Sequence, residues 1–215
     1  MNEPLTTLVI GSVLRADIRG FVIASRIPEP AVPTFGTFVR APIQHGQADV
    51  IGLVYDIRLQ DDPFLKNLAV TVMDENTAEF REVIRDQQEN RVIPVEISVV
   101  AVGYQQIQDD GPHYIYGFPP QPPMILRRIN VCSEEEVRLF TRHPDFMRVL
   151  LGNYDIPADE LIPTVIQRAA SLQPPATRTN FLLACGKYLA RFLGSEPMRL
   201  EKILRTISLE SSDPQ

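Results

Sequence analysis

Residues 92–107, "VIPVEISVVAVGYQQI", constrain the fold of this chain more than any other stretch. Val95, Ile97, Val99 and Ala101 fall on one face of an extended strand, and Glu96, Ser98, Val100 and Val102 fall on the other. A period of two with one face apolar throughout predicts a β-strand that has core on one side and partial cover on the other. Four more β-rich runs precede it, separated by turn residues: "LTTLVIGSVL" (5–14), "GFVIAS" (20–25), "GTFVRA" (36–41) and "DVIGLVYDI" (49–57). Short strands this closely spaced predict a small barrel. After the Asp-Gly turn in "QDDGPH", the runs "YIYGF" and "MILRRINV" can complete the sheet, and closing it would remove exposed edges.

One helix is predicted to interrupt the strands, over 74–91, where Asn76 and Glu79 can form a capping box ahead of Phe80, Val83 and Ile84. Pro63 can open a further helical turn just before it. From residue 133 the texture changes. Ser133 and Glu136 form a second capping box before "EEEVRLF", and "HPDFMRVLL" has the apolar content of a packed helix ending at Gly152. The stretch 156–172 is helical in pattern, with Pro163 marking either a later start or a bend. In "TNFLLACGKYLARFLG", Phe181, Leu182, Cys185, Tyr188, Leu189 and Phe192 make one stripe. A last helix carries Leu200, Ile203, Leu204 and Ile207 on one face, with fraying expected from Ser208. The fold class is therefore α+β. A small β-barrel of about six strands (1–132, with the helical insertion near 74–91) precedes a helical domain (133–210) and a disordered tail (211–215).

Several features of the barrel region resemble a known module. Gly11 follows the first strand, "FVIAS" forms the second, Gly36 to Val39 make a Gly-x-φ-Val run (φ being apolar), and "VIGLVYDI" carries Gly52. "VGYQ", the proline segment and the run into "SEEEVRLF" extend the likeness over roughly residues 5–140. Together they resemble the HAS barrel, shared by HerA-type DNA translocases and the major subunits of rotary ATP synthases; translation-factor barrels read similarly. In the resembling families this barrel mediates ring packing and partner docking and precedes an ATP-hydrolysing core. That core's G-x-x-x-x-G-K-[ST] loop is missing here: the only Gly-Lys pair, Gly186-Lys187, lies in a helical stretch and is followed by Tyr188. The resemblance thus implies docking without nucleotide hydrolysis.

Pro119, Pro120, Pro122 and Pro123 satisfy P-x-x-P twice, which makes them a candidate polyproline contact. Their position between "YIYGF" and "MILRRINV" favours a rigid crossing between barrel strands, because proline fixes φ and lacks the N–H that a sheet would have to pair.

The net charge is −6, which argues against broad nucleic-acid binding. Residues 176–207 are nevertheless locally basic, with six Lys and Arg against Glu196 and Glu201, or +4. Arg191, Arg199, Lys202 and Arg205 are the candidate anion-binding or partner-binding face, against the simpler reading of a solvated helix surface.

Cys132 and Cys185, the only cysteines, are expected to be reduced core thiols. His45, His113 and His143 lack metal-ligand spacing, and the pairs Asp61-Asp62 and Asp109-Asp110 suit turns and helix starts rather than acid–base chemistry. No cofactor is expected. With no apolar run near the roughly 18 residues of a membrane helix and no signal-peptide pattern, a cytoplasmic location is expected.

The leading expectation is a non-enzymatic adaptor, assembly or regulatory protein whose barrel docks onto itself or onto a larger complex, a ring-forming ATPase among the candidates. The alternatives are a protein binding nucleic acid or an anionic surface through its basic helices and, last, an enzyme with an unrecognised site.

Overall fold

The computed structural model describes residues 8–25, 33–59, 95–108 and 111–210. The predicted helix over 74–91, the turn at Pro63, the two Asp pairs and the tail from 211 lie outside these residues.

Seven strands form one antiparallel sheet: β1 (Val9–Ala16), β2 (Gly20–Ser25), β3 (Phe38–Ile43), β4 (Ala48–Leu59), β5 (Val95–Gln108), β6 (Gly111–Tyr116) and β7 (Arg128–Val131). Their order is β2-β1-β7-β3-β4-β5-β6, with a further pairing between β2 and β5. That pairing closes a six-stranded barrel. The long strand β5 takes part in two structures: Val95 to Val100 pair with β2 to seal the barrel, and Gly103 to Gln108 pair with β6 in a hairpin beyond it. "YIYGF" therefore contributes to this hairpin, and β7 completes the ring. The run "MILRRINV" is a strand only from Arg128, because Met124 to Arg127 form a turn.

The alternation in β5 appears as two cores. Val95, Ile97, Val99 and Ala101 fill the barrel with Ile10, Phe21, Ile23, Val39, Val50 and Ile129. Val100 and Val102 point outward with Phe38, Ile51 and Leu53, and the helices cover them. The second face is thus apolar where helices pack on it and polar where they do not, which is the pattern of a sheet covered on part of one side.

Among the described residues the helices are α1 (Glu134–Phe140), α2 (Met147–Leu151, entered through a 3-10 turn at Pro144–Phe146), α3 (Ala158–Ser171), α4 (Pro175–Phe192) and α5 (Pro197–Glu210). Both halves of the predicted capping box open α1: the Glu136 N–H donates to Ser133 Oγ, and the Ser133 N–H donates to Glu136 Oε2 at 2.7 Å. Pro163 does not mark a later start of α3. It is the helix's sixth residue and is buried, as are Leu161, Ile162, Val165 and Ile166 of the same helix. In α4 only Cys185 and Leu189 of the predicted stripe are fully buried, and Phe192 at its end is 47% exposed. The last helix continues to Glu210, past Ser208, where fraying was expected. Among the described residues, no helix is long and apolar enough to cross a membrane.

Candidate functional site

The junction between barrel and helices is held by aromatic packing around Phe140 at the end of α1. Its ring lies 5.2 Å from Tyr116, 5.7 Å from Tyr114 and 6.1 Å from both Phe38 and Phe146. The Tyr116 hydroxyl donates to the Phe140 carbonyl at 2.8 Å, and Arg148 Nη2 donates to the Tyr116 carbonyl at 3.2 Å. Gly103 makes this contact possible: a Cβ there would stand 2.6 Å from the Ile115 carbonyl oxygen and 2.9 Å from the Phe140 ring. Burial pushes the Tyr114 and Tyr116 hydroxyls up to about 12. These tyrosines serve as packing and hydrogen-bonding groups.

Polar contacts tie the same junction. Arg40 on β3 sits 3.3 Å from Asp49 of β4 and 3.3 Å from Glu136 of α1, so one guanidinium links two strands to a helix. The Glu136 contact is an ion pair without hydrogen-bond geometry, since Arg40 Nε makes no hydrogen bond. Burial raises the Asp49 carboxyl above its ordinary value, with Arg40 opposing the shift. On the other side, Arg168 of α3 donates to Thr34 Oγ1 at 2.8 Å.

The predicted site residues fall in separate places. In the proline segment, Pro119 and Pro123 are buried while Pro120 and Pro122 are exposed. Each P-x-x-P pair therefore has one ring turned inward. The segment then turns back on the barrel: the Arg127 N–H donates to the Met124 carbonyl, the Leu126 N–H to the Val13 carbonyl, and the Val13 N–H to the Arg127 carbonyl. Met124, Ile125 and Leu126 are 65%, 64% and 78% exposed.

The four basic residues of the helical domain divide into two pairs. Arg199 donates to Asp159 at 2.7 Å and to Glu196 at 3.3 Å, and Lys202 donates to Glu160 at 2.9 Å. Both therefore tie α5 to the start of α3. Arg191 and Arg205 are exposed and make no ion pair among the described residues.

Groups with catalytic or metal-binding chemistry stay apart. Burial pushes the Cys185 thiol up to about 12 and holds the Cys132 thiol well above its usual value, so both are poor nucleophiles. Among the described residues, no three His, Cys, Asp or Glu side chains come together as metal ligands do.

Two surface features went unnoticed in the sequence. One is an apolar flank. Of the thirteen large apolar side chains exposed among the described residues, eight lie on or just before β1, in its turn into β2 and in the segment before β7: Leu8, Val9, Leu14, Ile18, Phe118, Met124, Ile125 and Leu126. The other is a cleft of about 380 Å³ at the start of α3, with Ile156, Pro157 and Ala158 on its apolar side and Asp159, Glu160 and Glu196 around it. Asn153 Oδ1 accepts the Asp155 N–H at 3.0 Å, a tight turn that leaves Tyr154 88% exposed at the rim. The run "MIL" was the available signal for the flank, and its apolar character reads equally well as strand. No protein-family model and no curated protein matches this chain.

Proposed function

We propose that this chain is a non-enzymatic interaction protein: a HAS-type barrel without a motor, acting as an adaptor, assembly or regulatory factor that docks onto itself or onto a larger complex such as a ring-forming ATPase. The observation that supports this reading is the asymmetry of the barrel. The helical layer covers the outer faces of β3, β4 and β5, whereas the flank around β1 keeps eight large apolar side chains in water. Exposed apolar side chains concentrated on one side of a barrel support a docking role where they join into one surface. The nucleic-acid reading has less support, because Arg199 and Lys202 already serve α3.

The test is affinity capture of the tagged full chain from native lysate, combined with sedimentation of the purified protein. A specific partner or self-assembly is expected. A monomer that retains nothing above the tag-only control refutes the proposal.

A further inference from the structure

The turn between the proline segment and β7 carries an apolar tip. Met124, Ile125 and Leu126 follow one another there at 65%, 64% and 78% exposure. Side chains this far out share little surface with the barrel or with one another, so they do not build the patch of about 800 Å² that a stable protein interface takes from each partner. The tip is nevertheless held firmly. Pro119 and Pro123 are buried ahead of it, and the Arg127 N–H donates to the Met124 carbonyl at 3.2 Å. Leu126 and Arg127 engage both backbone groups of Val13 on β1, at 2.8 and 2.9 Å. Leu126 adopts φ +65, in the left-handed region that glycine or asparagine takes at lower cost, so the aliphatic side chain is displayed against the preference of its backbone. Strain of this kind points to a use for the side chain.

The surroundings of the tip are positive. Arg127 and Arg128 come directly after it, both exposed and neither in an ion pair among the described residues. Residues 111–133 contain no Asp or Glu, and Arg15 on the neighbouring β1 is matched by Glu96 at 3.0 Å. A chain of net charge −6 is repelled as a whole by an anionic surface, yet its apolar tip has two unmatched cations at its base. That arrangement suits a bilayer with anionic headgroups. Acyl chains close around each protruding side chain as a rigid protein surface does not, and the arginines stay at the level of the phosphates.

We propose that the Met124–Leu126 turn inserts into an anionic membrane surface, with Arg127 and Arg128 against the headgroups. The depth is that of the boundary between headgroups and acyl chains, about 5–10 Å, so the contact is peripheral. It goes beyond the reading of the chain as an interaction protein and does not rest on it, since Leu8, Val9, Leu14, Ile18 and Phe118 remain for a protein partner.

Co-sedimentation of the full chain with vesicles of about one part phosphatidylserine to two parts phosphatidylcholine tests the proposal. Binding is expected there, at least about tenfold weaker on phosphatidylcholine alone, and falling as salt rises from about 0.1 M to about 0.5 M. Arg127→Gln together with Arg128→Gln should weaken it about 25-fold, because each cation near such a surface contributes about fivefold. Leu126→Asn should weaken it at least about fivefold through lost apolar area, while its thermal midpoint holds or rises because asparagine tolerates the left-handed region; lost insertion is thereby separated from lost folding. The chain has no tryptophan, so Ile125→Trp supplies a single indole at the tip, whose emission should shift to the blue on the anionic vesicles. The proposal is overturned if the wild type stays in solution beside the anionic vesicles, if Leu126→Asn binds them like the wild type, or if the indole emission does not move. Capture of a protein partner that Leu126→Asn abolishes, without vesicle binding, overturns insertion and leaves the interaction reading in place. Vesicle binding by a monomer that captures no protein does the reverse.

Discussion

Replacing Phe140 with alanine tests whether the barrel and the helices form one cooperative structure. The side chain is 1% exposed and touches both units: Phe38 on β3, Tyr114 and Tyr116 on β6, and Phe146 before α2. Truncating a buried phenylalanine costs about 3–5 kcal/mol, a range that already contains its edge-to-face pairs of about 0.5–1.5 kcal/mol each. For a chain of this length, each kcal/mol lowers the melting temperature by roughly 2–4 °C, so a fall of about 6–20 °C is expected. The chain has no tryptophan and six tyrosines, two of them against Phe140, so near-ultraviolet circular dichroism reports the junction while the far-ultraviolet signal reports the helices. Both signals should move together, because Phe38, Ile51, Leu53, Val100 and Val102 of the barrel belong to the core that the helices cover. Phe140→Leu, which keeps most of the volume, should cost about 1 kcal/mol. A loss below about 1 kcal/mol for alanine, or helices melting early while the tyrosine signal holds, would refute the reasoning.

Three further outcomes are expected. Burial holds Asp49 above its ordinary value of 3.8, with Arg40 opposing; a carboxyl raised in the folded state contributes stability that is present below the unfolded value and lost as pH climbs through the folded one. Urea midpoints should therefore shift in favour of Asp49→Asn, relative to the wild type, between about pH 4 and pH 7, and a shift the other way would contradict the burial argument. The thiols of Cys132 and Cys185, both buried and both raised by burial, should resist a thiol reagent at pH 8 in the folded protein and react fully in denaturant; fast labelling of the native chain would exclude their core placement. Arg199→Ala, which breaks a pair whose side chains are only 19% and 25% exposed, should lower stability by about 1 kcal/mol, whereas Lys202→Ala at its solvated pair should leave the urea midpoint unchanged.

What the sequence revealed follows from how local each signal is. The inward set on β5 was readable because period two needs only neighbouring residues, and the Ser133–Glu136 box because both partners lie within one helical turn. The pairing of β5 with β2 and the closure of the ring by β7 rather than β6 both depend on partners seventy or more residues apart. The "MIL" run reads as strand because apolar content is its only cue, and the backbone bonds to Val13 that make it a turn carry no sequence pattern. The basic face was visible as composition, but the carboxylates that occupy Arg199 and Lys202 come from α3, some forty residues away. Glu136 shows the same limit: its capping role is local and legible, while its ion pair with Arg40 on β3 is neither.

A single fourteen-residue strand, β5, both seals the barrel and carries the hairpin on which the helices rest. At about 3.3 Å per residue it is a beam of roughly 45 Å with one end in the stave wall and the other under the helical layer. Force applied to the helices is therefore delivered along the backbone to the β2–β5 seam, through the irregularity at Val102 where the β4–β5 register shifts, so a load that displaces them reaches the barrel where it closes.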